Sequence, residues 1–197
     1  MKEYAVQNKV PILKDESLMF ILDYIVHNEV RSILEIGTAI GYSSINMALL
    51  NKDIKITTIE RDPKMYEEAI KNIKDNSLDN QIEVILADAL TVDLNKKYDL
   101  IFIDAAKAQY IKFFEKFKYN LNEKGVIITD NLLFHGLVAK KDTIESKNLR
   151  SLVTKIDNYV KFLKDNQEFS TIFYEIGDGL SVTRRNWYEK TSGSLSW

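Results

Sequence analysis

The sequence predicts a doubly wound α/β domain, in which a seven-stranded, mostly parallel sheet carries helices on both faces. Short apolar runs rich in β-branched residues alternate with helical patterns along most of the chain. The last two runs flank a glycine turn, which is typical of an antiparallel hairpin. The 197 residues, 45% of them hydrophobic and 28% charged, suit one globular core.

Five apolar runs predict the parallel strands of this sheet. They cover residues 32–36, 55–60, 82–87, 98–104 and 126–130. Each run is rich in isoleucine, valine or threonine, as expected for strands that are buried on both faces. In doubly wound sheets, ligands bind at the carboxyl ends of the strands. The candidate functional residues should therefore follow these five runs.

Two helices have clear sequence signals. The first is predicted over residues 15–28, because four apolar residues recur at helical spacing: Leu18, Ile21, Leu22 and Ile25. A later helix should begin after Asp62, which can cap it, with Pro63 in the first helical position. Residues 1–30 thus form a helical extension of a single domain that is predicted over residues 1–190.

The end of the chain predicts a hairpin and a tail. Runs at 169–175 and 180–185 read as antiparallel strands, and the sequence Gly-Asp-Gly at 177–179 forms the turn between them. Residues 191–197 are rich in serine and glycine and predict a flexible tail.

Composition excludes several classes of site. The chain has 27 basic and 29 acidic residues, so its net charge of −2 provides no global attraction for a polyanion. It has no cysteine and only two histidines, which excludes thiolate and multi-histidine metal sites. Any metal should be held by oxygens. No signal peptide or apolar stretch of ~20 residues is visible, so the cytoplasm is the expected location.

The loop after the first strand predicts an adenosine-containing ligand. Gly37 and Gly41 lie in the turn that leads into a helix, and Glu60 ends the second strand, where a carboxylate can bind ribose hydroxyls. The dinucleotide pattern needs its second glycine where this chain has Thr38 and Ala39. S-adenosylmethionine has no phosphate to accommodate, so the loop favours this cofactor over NAD.

Two further strand ends carry polar residues. Asp88 and Ala89 follow the third strand, where they could contact an adenine, although Asp88 could equally cap the next turn. Asp104 follows the fourth strand, and Asp130 and Asn131 follow the fifth. Carboxylate and carboxamide oxygens suit Mg²⁺ or a similar cation. These side chains predict a divalent metal site beside the cofactor.

Four motifs in order resemble the catechol-type, cation-dependent O-methyltransferases, over about residues 10–185. They are Glu-Ile-Gly with Gly-Tyr-Ser at 35–43, Ile-Glu-Arg-Asp at 59–62, Phe-Ile-Asp-Ala-Ala-Lys at 102–107 and Thr-Asp-Asn at 129–131. The resemblance implies the Rossmann-like fold of class I S-adenosylmethionine-dependent methyltransferases. Within the family, residues 10–12, 104–110 and 177–180 are most similar to the bacterial tRNA 5-hydroxyuridine methyltransferases.

This resemblance implies roles for individual residues. The metal ligands would be Asp104, Asp130 and Asn131, and Lys107 would be the catalytic base. The cofactor would contact Val10, Gly37, Ala39, Ser43, Glu60, Asp88, Ala89 and Asp104. A homodimer is also implied.

The subgroup implies that the substrate is 5-hydroxyuridine at the wobble position of tRNA. The alternative is a small catechol-like metabolite, because a catechol and 5-hydroxyuracil both offer two neighbouring oxygens to a cation. A basic cluster could contact tRNA phosphates or could be a solvated helix face. It comprises Lys140, Lys141, Lys147, Arg150 and Lys155.

Three aromatic residues and one histidine could also belong to the site. Tyr110, Phe113 and Phe134 could stack on a planar substrate or pack in the core, and His135 could orient the substrate. The sequence leaves two competing functions open, an NAD-dependent oxidoreductase and a non-catalytic adenosine-binding module.

Overall fold

The computed structural model of the chain describes residues 1–134, 136–138 and 143–186. Seven strands form one sheet: β1 Ser32–Ile36, β2 Lys55–Glu60, β3 Ile82–Leu86, β4 Tyr98–Ile103, β5 Leu121–Thr129, β6 Phe169–Tyr174 and β7 Leu180–Arg185. Six α-helices lie within these described residues: α1 Lys2–Gln7, α2 Asp15–His27, α3 Tyr42–Leu49, α4 Pro63–Asp75, α5 Tyr110–Phe117 and α6 Lys147–Lys164. Short 3-10 turns at Lys107–Gln109 and Lys118–Asn120 flank α5.

The order of the strands is β3-β2-β1-β4-β5-β7-β6. The first five are parallel, and β7 runs antiparallel to both of its neighbours. The structure thus confirms the seven-stranded doubly wound sheet with a C-terminal antiparallel hairpin. Ile36 aligns with Ile59 and Ile103, and Ile103 aligns with Thr129. The residues that follow them share one edge of the sheet: Gly37, Glu60, Asp104 and Asp130.

The predicted boundaries are wrong by small amounts. β5 begins at Leu121 rather than at residue 126, because Leu121 pairs with Tyr98 across an irregular register. Helix α2 ends at His27, and strands β3 to β6 each end one residue before the prediction. The ladder nevertheless continues past some of these ends, since the Asp104 amide donates to the Ile36 carbonyl over 3.0 Å.

The sheet has a hydrophobic layer on each face. One layer is formed with α2, α3 and α4, which contribute residues such as Ile21, Ile45 and Ile73. The other is formed with α5 and α6 and is rich in aromatic side chains, including Phe114 and Tyr159. These two layers hold the central strands rigidly, so the loops at the carboxyl edge start from fixed positions.

The predicted helix start at Asp62 is confirmed. The Asp62 side chain accepts hydrogen bonds from the amides of Lys64 and Met65, and Pro63 begins α4. In the described part of the chain, no helix has the length and apolar character needed to cross a bilayer. The predicted tail at residues 191–197 lies outside the described residues.

Candidate active site

A cavity of about 430 Å³ opens at the carboxyl edge of the sheet. Its walls come from residues 11–14, from the loops after the first five strands and from the turn before β7. Ten of the residues predicted to form the site line this cavity together: Gly37, Ala39, Ser43, Glu60, Asp88, Ala89, Asp104, Lys107, Asp130 and Asn131.

Val10 is not among the residues that line the cavity. Its side chain packs against the hydrophobic layer that holds α1 and α2, and its amide donates to the Ala5 carbonyl over 2.8 Å. It borders a separate groove beside α1. The residues that follow it, Pro11 to Lys14, line the cavity instead.

Gly37 brings the loop after β1 into close backbone contact with the loop after β4. Its φ of +101° lies in a region that favours glycine, and a Cβ here would lie 2.2 Å from the Asp104 carbonyl oxygen. The absence of a side chain is therefore required by the fold itself. Any larger residue would displace Asp104, whose side chain faces the same cavity.

Glu60, which was predicted to bind ribose hydroxyls, accepts three hydrogen bonds from the protein backbone. Its Oε2 accepts a hydrogen bond from the Ala39 amide over 2.8 Å, and its Oε1 accepts from the amides of Arg61 and Asp62 over 2.9 and 2.8 Å. Each carboxylate oxygen accepts about two hydrogen bonds. Oε2 can therefore accept one more, which a ribose hydroxyl could donate.

Glu35 is a buried acid that the sequence reasoning did not assign to the site. Its carboxylate accepts hydrogen bonds from the hydroxyls of Ser43, Ser44 and Thr58. Burial raises the pKa of Glu35 to about 7, although these three hydroxyls lower it. An acidic residue inside an otherwise apolar strand was the sequence feature that could have indicated this buried carboxyl. Because Ser43 donates to Glu35, this interaction fixes the first turn of α3 to the sheet.

Asp88 and Ala89 differ in their surroundings. Asp88 is exposed, and its Oδ1 accepts a hydrogen bond from the Leu90 amide over 2.8 Å, which caps the turn as one of the two interpretations predicted. Ala89 is buried at 7% exposure. Both line the cavity, where they could border an adenine ring.

Asp104, Asp130 and Asn131 form a compact group of oxygen-bearing side chains. The Asn131 Nδ2 lies 2.6 Å from Asp130 Oδ2 and 3.5 Å from Asp104 Oδ1. Burial raises the pKa of both carboxyls. For Asp130 the value reaches about 7, with repulsion from Asp104 as the second cause. The buried carboxyl of Asp130 and the half-buried carboxyl of Asp104 therefore lie beside one carboxamide.

This group fits a divalent cation. A half-turn of the Asn131 side-chain amide exchanges its nitrogen and oxygen, which would present a third oxygen between the two carboxylates. A hard cation would also neutralise their repulsion. Among the described residues, no three acidic or histidine side chains are close enough to hold a metal. The carboxamide oxygen of Asn131 would therefore be the third protein ligand of such a site.

Lys107 lies in the 3-10 turn between Asp104 and α5. Its positive charge lowers the pKa of both Asp104 and Asp130. Its Nζ also lies 5.7 Å from the centre of the Phe134 ring, in a cation–π contact. Lys107 and Phe134 therefore share one wall of the cavity.

Ser17, which the sequence did not predict, and Tyr110, one of the predicted aromatic candidates, both support Asp130. Ser17, from the first turn of α2, donates a hydrogen bond to Asp130 Oδ1 over 3.0 Å. The Tyr110 hydroxyl donates to the Asp130 carbonyl over 2.9 Å. Tyr110 also packs on Tyr159 at 5.2 Å between ring centres, so it is a core residue. Phe113 is buried in the same layer and reaches the cavity wall.

The predicted basic cluster is only partly described. Lys140 and Lys141 lie outside the described residues, as does His135. The Arg150 guanidinium donates to the Ile144 carbonyl, with Nε at 2.9 Å, and so stabilises the start of α6. Lys147 and Lys155, the other two members of the cluster, are exposed on α6.

Comparison with known proteins agrees with this geometry. A solved Staphylococcus aureus structure assigned to the caffeoyl-CoA O-methyltransferases is 42% identical, with a TM-score of 0.90, over 94% of this chain and 90% of that one. Tapetum-specific methyltransferase 1 of Arabidopsis thaliana is 30% identical over 94% of this chain and 82% of its own length. Caffeoyl-CoA O-methyltransferase of Populus kitakamiensis is 30% identical over 93% and 82%. The sequence profile of the O-methyltransferase family matches residues 2–186, and the chain therefore belongs to this family.

Proposed function

We propose that the chain transfers a methyl group from S-adenosylmethionine to one of two neighbouring oxygens on a small, catechol-like substrate, with a divalent cation. The observation that carries this proposal is the shared cavity. It places the Gly37 loop and Glu60 beside the oxygen-bearing side chains of Asp104, Asp130 and Asn131. A methyl donor and a chelating acceptor would therefore meet within a single enclosed space.

The first half of the cavity supplies the proposed cofactor site. Glu60 would accept a hydrogen bond from a ribose hydroxyl at Oε2, and Ala89 would border the adenine. The Gly37 loop carries no phosphate-binding pattern and packs against the Asp104 carbonyl. A cofactor bound by this loop would have its methionine end close to Asp104. The residues lining this half thus match a nucleoside that carries no pyrophosphate.

The second half supplies the proposed acceptor site. When bound by Asp104, Asp130 and Asn131, a divalent cation would lower the pKa of an acceptor hydroxyl and fix its orientation. Lys107 is the residue to which we assign the acceptor proton, which the neutral amine at Nζ would take up, because it lines the cavity and follows Asp104 in the same loop. Phe134 would exclude water from one wall of the cavity and would pack against a planar substrate ring there.

The choice of a small substrate follows from the relatives. A caffeoyl group carries two neighbouring phenolic hydroxyls, and caffeoyl-CoA enzymes are among the proteins similar to this chain. The more specific prediction, tRNA 5-hydroxyuridine, is not supported by these names. Of its five proposed tRNA contacts, Arg150 instead stabilises α6. The predicted homodimer stays a prediction, which light scattering of the purified chain would test.

The test is a methyl-transfer assay with labelled S-adenosylmethionine and Mg²⁺. Catechol should be methylated, whereas resorcinol, whose hydroxyls are not neighbours, should not, and EDTA should abolish the reaction. In a parallel reaction, tRNA that carries 5-hydroxyuridine is the acceptor. Methylation of the tRNA alone would overturn the small-molecule assignment, and transfer to neither acceptor would contradict the proposed chemistry.

A further inference from the structure

The turn between β6 and β7 brings a carboxylate into the cavity that the proposed reaction does not use. Asp178 lies in this turn, between Gly177 and Gly179, and is only 4% exposed. It lines the same cavity as Asp130 and Asn131. It comes from a part of the chain that contributes no other residue to the proposed cofactor or cation site.

The position of this turn is fixed by specific contacts. The Leu133 amide donates to the Asp178 carbonyl over 2.8 Å. Gly177 has a φ of +59°, and a Cβ on it would lie 2.2 Å from the Ser17 hydroxyl oxygen. That hydroxyl donates to Asp130. Glycine therefore lets the turn pack directly against the serine that orients a proposed cation ligand.

Lys14 holds the side chain of Asp178 from the rim of the cavity. The Lys14 Nζ lies 3.2 Å from Asp178 Oδ1, and the Lys14 side chain is 44% exposed. An ionised carboxylate accepts about four hydrogen bonds, so the ion pair with Lys14 does not by itself saturate Asp178. The ion pair thus orients Asp178 without preventing contact with a ligand.

Asp178 is near the proposed cation site without belonging to it. Asp178 lines the same cavity as Asp130 and Asn131, and its turn packs against Ser17, whose hydroxyl donates to Asp130. Yet the described residues contain no three acidic or histidine side chains that could share a metal. An acid that lines the cavity beside this group, but does not complete it, is placed to contact the substrate.

We propose that Asp178 determines specificity, by accepting a hydrogen bond from a donor on the substrate next to its pair of neighbouring oxygens. This inference rests on the proposed function and narrows its substrate class. The preferred acceptors are rings with an additional O–H or N–H beside the oxygen pair, such as a pyrogallol or a hydroxylated pyrimidine. A bare catechol has only a C–H there.

This specificity would arise because a buried carboxylate without a hydrogen-bond donor from the ligand makes the free energy of binding less favourable. The Asp178 carboxylate is already largely buried, so water cannot satisfy it once a ring lies against it, and only a ring with a donor offers it a further hydrogen bond. Sites built to bind a donor reject analogues that lack it much more strongly than apolar pockets reject a missing methylene. A substrate with an anionic group at this place would be repelled by the same carboxylate.

The test measures binding, so that it does not depend on turnover. Catechol and pyrogallol are titrated calorimetrically into the protein with Mn²⁺ and S-adenosylhomocysteine, in oxygen-free buffer. The wild type should bind pyrogallol at least ~10-fold more tightly than catechol, as expected for a hydrogen bond to a charged group. Asp178→Ala should reduce this ratio to about one, and Asp178→Asn, which keeps an acceptor oxygen, should restore part of it.

Controls separate specificity from folding and from the proposed function. Asp79→Asn makes the same chemical change in an exposed turn before β3, at the opposite edge of the sheet, and should keep the wild-type ratio. Mn²⁺ affinity and melting temperature report on any structural damage in Asp178→Ala. Equal affinity of the wild type for both ligands, or an unchanged ratio in Asp178→Ala, would overturn the inference. Failure of the methyl-transfer assay alone would contradict only the proposed function.

Discussion

The two halves of the cavity handle negative charge in opposite ways. In the half near β1 and β2, Glu60 accepts hydrogen bonds from three backbone N–H groups. In the half near β4 and β5, Asp104 and Asp130 repel each other. The Glu60 carboxylate is thus satisfied by the backbone, whereas the repulsion between the two acids in the second half is only partly offset by the charge of Lys107.

This difference shows that one half of the cavity is preorganised by the fold, whereas the other would be stabilised only by a bound cation. Backbone donors around Glu60 build the loop before any ligand arrives, which is preorganisation of a binding site. The crowded acids beside Asn131 raise the free energy of the cation-free protein, and a bound cation would recover that energy. Loss of the negative charge should therefore lower the stability at Glu60 and raise it at Asp130.

The largest expected effect is that of Asp130→Asn. Methyl transfer should fall by at least ~100-fold, because the cation would lose a charged ligand. In EDTA at pH 8, however, the variant should melt about 2–4 °C above the wild type, since ~1 kcal/mol of repulsion is removed. Differential scanning calorimetry measures the shift, with Asp79→Asn as the control. A lower melting temperature would mean that the two carboxylates do not oppose folding.

Glu35 provides a test through pH. Its pKa of about 7 in the folded protein lies above the ordinary value of 4.5, so the folded state favours the protonated form. The contribution of Glu35 to stability is therefore greatest below pH ~4.5 and is lost as pH rises through about 7, by up to ~3 kcal/mol. Urea unfolding in EDTA, from pH 5 to 8, should show a weaker decline for Glu35→Gln than for the wild type. Identical slopes would exclude this linkage.

Glu60→Ala should affect the preorganised half alone. Three backbone N–H groups would lose their acceptor, which should reduce the free energy of unfolding by about 1–3 kcal/mol. Affinity for S-adenosylhomocysteine should fall, while Mn²⁺ affinity stays within about twofold, as expected for a distant site. Parallel calorimetric titrations measure both. Equal loss of both affinities would show that the halves do not act separately.

Ser17→Ala gives the smallest expected effect and tests the half of the cavity that contains Asp104 and Asp130. Its hydroxyl orients Asp130, and removal of such a supporting hydrogen bond should weaken Mn²⁺ binding by about 10-fold. Electron paramagnetic resonance of unbound Mn²⁺ provides the measurement. Ser151→Ala, on an exposed position of α6, is the matched control. If both variants bind Mn²⁺ like the wild type, the contact between α2 and Asp130 is only structural.

Local sequence patterns predicted the parts of the site that depend on one strand end. Gly37, Glu60, Asp104 and Asp130 each follow a recognisable apolar run, and parallel pairing alone aligns them at one edge. The capping of α4 by Asp62 was also readable, because its hydrogen bonds join near neighbours in sequence.

Contacts between distant segments could not be predicted in this way. The hydrogen bond from Ser17 to Asp130 and the ion pair of Lys14 with Asp178 join residues more than one hundred positions apart. They depend on how α2 and the β6–β7 turn pack over the sheet edge. Leu121 was missed as a strand start because the polar residues after it resemble a loop, and its pairing with Tyr98 overrides that preference.

The most direct test of the account is a calorimetric titration of Mg²⁺ into the wild-type protein at pH 7 with S-adenosylhomocysteine present. We expect one saturable site, accompanied by proton release, because cation binding should ionise Asp130, whose pKa is about 7. Repeating the titration in buffers of different ionisation enthalpy measures the protons. Saturable binding that Asp130→Asn abolishes would support the account, whereas no saturable binding, or unchanged binding by Asp130→Asn, would contradict it.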